Sequence, residues 1–228
     1  MSAGTAAFSS AGARIGFEGF EDFLVRSGER LWRTPPTAPR CPNGDHRFEP
    51  SLTPAPDAPA PRAAAVLVPI VERADTPVVI LTQRTASLRT HSGQIAFPGG
   101  KIDAGDASPL DAALREAEEE IGLDRRFVKH LGYADTYLSG TNFLVVPAVA
   151  TVSPGYQLRL NPDEVAETFE VPLAFLMDDV NHQVHSREFR GAERRFFAMP
   201  FGERYIWGVT AGILRNLFER LYGETYTP

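Results

Sequence analysis

One stretch of this sequence constrains the local structure more than any other: GGKIDAGDASPLDAALREAEEEIGL, residues 99–123. A helix can begin at Ser108, whose side chain suits an N-cap, and at Pro109, which suits the first helical position. Gly122 provides a stop at the other end. Between them an apolar stripe recurs at helical spacing, formed by Leu110, Ala113, Leu114, Ala117 and Ile121. The pattern predicts a helix over 109–121 that packs one face onto a core, directly after a glycine turn.

The same helix carries four glutamates within five positions. At about 100° per residue, Glu116, Glu119 and Glu120 share one face, whereas Glu118 points away from it. Like charges at this spacing weaken a helix unless water or a cation neutralises them. Clustered carboxylate oxygens are typical ligands of Mg²⁺ or Mn²⁺, so the sequence predicts a divalent metal site here. A solvated acidic face is the alternative, and Glu116 and Glu120 are expected to border solvent.

Short β-rich runs surround this helix. They cover residues 64–71, 77–84, 93–98, 143–152, 183–191 and 193–201. Helical patterns appear again at about 208–221 and, more weakly, at 173–178. Strands interspersed with helices predict an α/β fold in which a mixed sheet lies between helices, an α/β/α sandwich. The aromatic pair Phe196–Phe197 is expected to lie in the core.

The chain changes character near residue 63. Residues 17–32 carry apolar side chains at helical spacing, and nine prolines follow between Pro35 and Pro61. Proline removes backbone donors and fixes φ, so this stretch predicts an extended connector. We therefore divide the chain into residues 1–62, an N-terminal helix with a proline-rich connector, and a domain over 63–228 that carries the chemistry. The helix could dock on that domain or on a second chain.

Composition excludes two classes of protein. The net charge of −6 lacks the excess of basic residues expected of a nucleic-acid binder. No apolar run approaches the roughly 18 residues of a membrane span, so no membrane partner is expected. A single cysteine, Cys41, cannot form an internal disulfide, which fits a reducing, cytoplasmic location. The expected partner is a small-molecule substrate, bound by a monomer or a homodimer.

The acidic helix resembles the signature of the Nudix hydrolases, in which a glycine turn precedes Arg-Glu-aliphatic-any-Glu-Glu-any-Gly-aliphatic. The matching residues are Arg115, Glu116, Ala117, Glu119, Glu120, Gly122 and Leu123. The upstream half departs from the signature, because Asp106 stands where a glutamate is usual and eight residues separate it from Arg115. Asp106 and Arg115 are expected to hold the loop and the helix together.

This resemblance implies a Nudix-type α/β/α sandwich and a metal-dependent diphosphatase. It implies that Glu116 and Glu120 ligate the metal directly, that Glu119 assists, and that the Gly100 carbonyl joins them. The general base would be Glu119, Glu120 or a downstream acid, for which Glu164 is the candidate. The alternative for Glu164 is a surface acid in a loop.

The preceding segment LTQRTASLRTHSGQIAFPGGKID, residues 81–103, is similar to the segment that marks the coenzyme A diphosphatase branch of this family. The spacing FPGG-x-x-D-x-x-D with the lengthened signature is similar to that branch too. The resemblance implies hydrolysis of coenzyme A or its derivatives to 4′-phosphopantetheine and 3′,5′-ADP. Arg84 and Arg89 are then the candidate phosphate ligands, although either could be a surface arginine. Two alternatives remain: a Nudix hydrolase of another substrate, such as ADP-ribose, NADH or a nucleotide sugar, and a non-catalytic nucleotide-binding Nudix module.

Overall fold

The computed structural model of the protein describes residues 16–36, 43–48, 57–73, 76–86, 93–189 and 191–223. The helices in these ranges are α1 (Phe20–Arg30), α2 (Pro109–Ile121), α3 (Leu173–Leu176) and α4 (Val209–Tyr222). The strands are β1 (Arg62–Val71), β2 (Val78–Arg84), β3 (Ile95–Ala96), β4 (Gly99–Lys101), β5 (Val128–Tyr133), β6 (Tyr137–Leu138), β7 (Phe143–Val152), β8 (Val165–Pro172), β9 (Gln183–Phe189), β10 (Ala192–Phe201) and β11 (Arg204–Trp207). None of these helices has both the length and the apolar character needed to cross a lipid bilayer.

The first eight strands form one mixed sheet, and β1 lies near its centre. The sheet runs in the order β3-β2-β1-β7-β5, with β4 paired to β1, β6 to β7 and β8 to β2. β1 and β7 are parallel and in register along their whole length, from Arg62 opposite Phe143 to Val71 opposite Val152. The other pairings of this sheet are antiparallel. The mixed sheet predicted from the sequence is confirmed.

Helices cover both faces of this sheet. On one face, Ala65 and Leu67 of β1 pack in a cluster with the apolar stripe of α2, including Ala117 and Ile121. On the other face, β1 contributes Val68 and Ile70 to a second cluster, with which α4 packs through residues such as Leu214, Leu217 and Leu221. Because both faces of β1 are buried, its sequence is apolar at nearly every position. The predicted α/β/α sandwich is confirmed.

A smaller antiparallel sheet, β9-β10-β11, lies beside the main one. It contacts α4 through β10 and β11, and β11 also contacts β3. The sequence patterns predicted β9 and β10 but not β11, which follows β10 through a short turn at Gly202. They also missed β4, β5, β6 and β8. Two of these are only two or three residues long, and β4 contains two glycines, so they lack an alternating apolar pattern.

The N-terminal helix docks on the core of its own chain. α1 packs against α4 and β5, and its Phe23 is fully buried. Just after α1, the backbone of Trp32 pairs with that of Tyr133 through two hydrogen bonds of 2.9 Å. The second-chain alternative is therefore not needed to cover this helix. The division at residue 62 stays a prediction, and Cys41 lies outside the described residues.

Candidate active site

The acidic helix is held at both ends as its sequence predicts. The Ser108 hydroxyl accepts a hydrogen bond of 3.1 Å from the Asp111 amide, and Pro109 begins the helix. At the other end Gly122 adopts the left-handed conformation, with φ of 66°. A side chain at Gly122 would lie 2.9 Å from the backbone of Arg159, so glycine is required for packing as well as for its φ. These contacts hold the two ends of the helix in place.

Glu120 is almost completely buried, with 3% of its surface exposed. Its Oε2 accepts a hydrogen bond of 3.1 Å from the Gly99 amide, and its Oε1 lies 3.5 Å from Nη1 of Arg84. Burial raises the pKa of Glu120 to about 7, although Gly99 and Arg84 act in the opposite direction. The expectation that Glu120 borders solvent is therefore wrong. Because β4 packs directly against α2, it covers a carboxylate that helical periodicity alone places at the edge of the core.

Glu116 lies one turn earlier, against the Gly100 backbone. Its side chain is 17% exposed, and a Cβ placed on Gly100 would come within 2.5 Å of the Glu116 carboxyl carbon. Only glycine therefore lets β4 approach the helix this closely. Burial raises the pKa of Glu116, and a hydrogen bond from Arg115 opposes that effect.

Arg115 ties the glycine turn to the helix. It bonds both oxygens of Asp106, at 2.9 and 3.0 Å, and the Lys101 carbonyl at 3.1 Å. It also donates to Glu116 at 2.9 Å and to Glu119 at 3.2 Å. The bonds from Arg115 lower the pKa of Asp106. Asp106 and Arg115 thus make the contacts expected of residues that hold the loop and the helix together.

The other two glutamates of the helix lie further out. The Glu119 side chain is 57% exposed. It is linked to Glu116 through Arg115, which bonds both glutamates. The Glu118 side chain is 56% exposed and approaches Arg125 at 3.9 Å, on another side of the helix. The burial of the four glutamates therefore differs sharply, and Glu116 and Glu120 form the inner pair.

The structure brings Glu164 next to this inner pair. Asn161 links the two regions, since its backbone N–H donates to the Glu120 carbonyl at 2.9 Å and its Nδ2 donates to Oε1 of Glu164 at 3.4 Å. The charge of Glu164 contributes to the raised pKa of both Glu116 and Glu120. Glu164 therefore lies near enough to interact electrostatically with both inner glutamates.

Of the two candidate phosphate ligands, only Arg84 lies within the described residues. It stands at the end of β2 with its side chain 26% exposed. Its Nε is buried and has no hydrogen-bond partner within the described chain, which is unusual for a buried donor. Arg89 lies in residues 87–92, outside the described residues, and its role stays a prediction.

The inner carboxylates suit a divalent cation that the substrate helps to hold. No three Asp, Glu, His or Cys side chains of the described residues are close enough to form a metal site by themselves. Mg²⁺, however, is usually bound by one or two carboxylates and completes its octahedron with water and substrate phosphates. Glu116 and Glu120 provide such a pair beside the Gly99–Gly100 backbone, and Arg84, 3.5 Å from Glu120, is the nearest cation that offsets the charge of Glu120. The residues present therefore fit a metal of this kind.

A cleft of about 750 Å³ opens beside β4. This volume is typical of a site for a small molecule. Among the described residues, its wall includes Gly99 and Gly100 and carries five basic side chains, those of Arg84, Lys101, Arg187, Arg194 and Arg195, and a single carboxylate, Asp45. A chain with a net charge of −6 therefore concentrates positive charge around this cleft.

Sequence reasoning missed much of this wall. Asp45 lies in the proline-rich connector and accepts hydrogen bonds from the Tyr137 hydroxyl at 2.5 Å and the Gly140 amide at 2.6 Å.

The expectation that Phe196 and Phe197 both lie in the core is half correct. Phe197 packs against the core, whereas Phe196, on the opposite face of β10, lines the cleft. Strand alternation was the signal that could have separated the two.

Comparison with known proteins identifies the family. A family model described as the NUDIX domain matches residues 61–190. A protein of Citrobacter koseri named "Uncharacterized Nudix hydrolase NudL" is 42% identical over 156 residues, which cover 68% of this chain and 81% of the relative. A protein of the same name from Photorhabdus laumondii is 39% identical over 178 residues, covering 77% of this chain and 95% of the relative. Among solved structures, the chain is similar to a Caenorhabditis elegans Ap4A hydrolase binary complex, with 23% identity, a TM-score of 0.43, and coverage of 51% of this chain and 83% of that chain.

The family match spans more than half of the chain and extends from the start of β1 to the end of β9. It therefore includes the glycine turn, the acidic helix, Glu164 and both parallel strands that support them. The chain belongs to the Nudix hydrolases, and it is a diphosphatase of nucleoside diphosphate-linked substrates that depends on a divalent metal ion.

Proposed function

We propose that this enzyme hydrolyses the diphosphate of coenzyme A or its derivatives and releases 4′-phosphopantetheine and 3′,5′-ADP. One observation carries the proposal: described residues of the segment similar to the coenzyme A branch, residues 81–103, line the cleft. Its cleft-lining members are Arg84, Gln94, Ile95, Ala96, Phe97, Gly99, Gly100 and Lys101. This position, beside Glu116 and Glu120, supports a role for the segment in selecting the substrate.

We assign metal binding to Glu116 and Glu120, with Glu119 and the Gly100 carbonyl as additional ligands. When bound there, Mg²⁺ or Mn²⁺ would supply positive charge against the diphosphate and would lower the pKa of a bound water. Glycine at position 100 supports this assignment, because the absence of a side chain keeps the backbone against the Glu116 carboxylate. Arg115 positions Glu116 and Glu119 through its two hydrogen bonds.

We assign the general base to Glu164 in preference to Glu119 and Glu120. A base must reach the attacking water while its own carboxylate stays free to accept a proton. Glu120 is occupied by the Gly99 amide and Arg84, and Glu119 is largely exposed and bonded to Arg115. Glu164 is half-buried, adjoins both inner glutamates electrostatically, and has only the weak 3.4 Å bond from Asn161.

Arg84 is assigned to the diphosphate itself. Its ion pair with Glu120, a proposed metal ligand, supports this assignment, as does its buried Nε, which has no hydrogen-bond partner within the described chain. Arginine binds phosphate oxygens through parallel N–H donors, so a diphosphate would satisfy this group. Arg89 stays a second candidate for the same role.

A hydrolysis screen tests the proposal. Coenzyme A, acetyl-coenzyme A, ADP-ribose, NADH and UDP-glucose are incubated with enzyme and Mg²⁺ or Mn²⁺, and the products are identified by mass. We expect kcat/KM for coenzyme A or its acetyl derivative to exceed that for the other substrates by about tenfold or more. Faster cleavage of ADP-ribose, NADH or the nucleotide sugar would assign a different Nudix substrate, and no turnover of any substrate would favour a binding module.

A further inference from the structure

The small sheet presents two arginines side by side to the cleft. Arg187 of β9 and Arg194 of β10 are directly paired across the antiparallel ladder, and both line the cleft. Like charges in directly opposite positions destabilise a sheet unless something lies between them to neutralise the charge. Arg187 makes no ion pair with any carboxylate that the structure describes. Two cationic side chains placed side by side on the cleft wall suit an anion.

Among the described residues that line the cleft, Asp45 is the only acid. It accepts hydrogen bonds from the Tyr137 hydroxyl and the Gly140 amide, so fixed donors engage both of its oxygens. Asp45 makes no ion pair with Arg187, whose side chain lines the cleft.

Two aromatic rings flank the arginine pair on the same face. Phe196 is two residues after Arg194, and Trp207 pairs with Ala198, so strand alternation puts all of them on one side of the sheet. The ring centroids of Phe196 and Trp207 are 5.2 Å apart with planes inclined by 57°, and both rings line the cleft. Aromatic side chains of this kind bind nucleobases by stacking, without regard to sequence.

We propose that Arg187 and Arg194 bind a phosphomonoester of the substrate's nucleoside, separate from the diphosphate that is cleaved, while Phe196 and Trp207 contact the base. The proposal rests on the proposed function, because coenzyme A carries a 3′-phosphate on its adenosine. The proposed function puts the diphosphate at Glu116, Glu120 and Arg84, of which Arg84 lines the cleft. Arg187 and Arg194 line the same cleft from the second sheet, so they suit a different group of the ligand.

The test measures binding rather than turnover. Dissociation constants are determined in metal-free buffer for 3′,5′-ADP, 5′-AMP and inorganic phosphate, using the wild type, Arg187→Ala and Arg194→Ala. Arg126→Ala is the control, because Arg126 is 73% exposed, pairs locally with Asp124 and does not line the cleft. We expect the wild type to bind 3′,5′-ADP at least about tenfold more tightly than 5′-AMP, since a charge-assisted hydrogen bond gives about this factor.

Each arginine variant should lose most of this preference and keep its affinity for 5′-AMP, and the control should behave as the wild type. Equal weakening for both nucleotides, or no weakening, would overturn the proposal. Inorganic phosphate should bind far more weakly than 3′,5′-ADP, and equal binding would remove the nucleoside from the proposal. Because no hydrolysis is involved, a different preferred substrate in the screen would contradict the proposed function and leave this measurement valid.

A charge reversal separates binding from folding. Arg187→Glu creates an oppositely charged pair with Arg194, so the melting temperature should stay equal or rise. Selective binding of 3′,5′-ADP should nevertheless disappear. A variant that is stable and still prefers 3′,5′-ADP would overturn the role of Arg187.

Discussion

Two buried carboxylates in this protein have opposite surroundings. Asp135 receives two hydrogen bonds from Arg220, at 2.6 and 3.0 Å, and one from the Trp32 indole at 3.0 Å. Arg220 is itself buried and also bonds the Arg30 carbonyl. Glu120 has one amide bond and an arginine 3.5 Å away, and two more carboxylates lie near it.

The comparison shows how the same group can serve the fold or the chemistry. Around Asp135 the charges match and the donors are satisfied, so the network ties the end of α1 to α4. Around Glu120 negative charge is in excess, which burial makes costly and which a cation would relieve. A buried carboxylate that lies among other carboxylates and has a raised pKa accordingly points to function, whereas a matched pair points to structure. The predictions below test this distinction.

The largest effect is expected from Glu120→Gln. The change removes a charge that we propose binds the metal while keeping the shape of the side chain, so kcat with Mg²⁺ should fall by about 10³-fold, equivalent to about 4 kcal/mol. The free energy of unfolding of the metal-free protein should stay equal or rise, because a buried excess charge is removed. Steady-state kinetics and urea unfolding measure the two quantities.

Glu118→Gln is the matched control for this change. It makes the same substitution on the same helix, but its side chain is 56% exposed and directed away from the centre. Its kcat should stay within about twofold of the wild type, since exposed substitutions rarely disturb a site. Near-normal turnover of Glu120→Gln, or a large loss of its stability, would contradict the distinction drawn above.

Asp135→Asn should lower the stability and leave the activity unchanged, which is the reverse of the result expected for Glu120→Gln. It leaves Arg220 buried without a counter-charge, which typically costs about 3–5 kcal/mol of unfolding free energy. Activity per folded molecule should be unchanged, because Asp135 lies outside the cleft wall. Urea unfolding monitored by tryptophan fluorescence measures the loss, and kinetics at low temperature measures the activity of the folded fraction.

Asp22→Asn serves as the comparison for that experiment. Asp22 pairs with Arg26 at 2.7 Å on the surface of α1, with its side chain 24% exposed. Loss of such a pair should cost under about 1 kcal/mol. If the two variants were equally stable, the buried network would contribute no more than a surface ion pair.

His182 adds a third case to the comparison, because it is a buried ionisable group that is uncharged at neutral pH. Its Nε2 lies 2.8 Å from the Leu176 carbonyl, and burial lowers its pKa to about 4, helped by Arg215 and opposed by the carboxylates of Asp179 and Glu219. The unfolded state, with a pKa near 6.5, therefore binds the proton first as the pH falls. Stability should be complete above about pH 6.5 and decline towards pH 4, by up to about 3 kcal/mol in total.

Urea unfolding at pH 7 and pH 5 measures this effect as a difference between the wild type and His182→Gln, which keeps a donor for the Leu176 carbonyl. Subtraction is needed because Glu120, with its raised pKa, titrates in the opposite direction. The variant should lack the His182 component. An identical pH dependence in both proteins would show that His182 does not titrate in this window.

The acidic helix is the part of the site that could be predicted most fully. Its bounds, its cap at Ser108 and its stop at Gly122 are confirmed because each depends on neighbours within one or two turns. The face shared by Glu116 and Glu120 also follows from helical geometry alone. The depth of Glu120 does not, because it depends on β4, whose two glycines give no strand pattern of their own.

The sequence by itself determined the helix with its carboxylates, the apolar strands β1 and β7, and the family to which the chain belongs, since all of these are written in short, contiguous patterns. Only the tertiary structure decided that Glu164 lies near the inner glutamates, that Asp45 lines the cleft, and that Arg187 and Arg194 stand opposite each other. The physical reason is that these juxtapositions depend on the register and packing of segments far apart in the chain. Side-chain periodicity records which face of an element is buried, but it does not record which distant element covers that face.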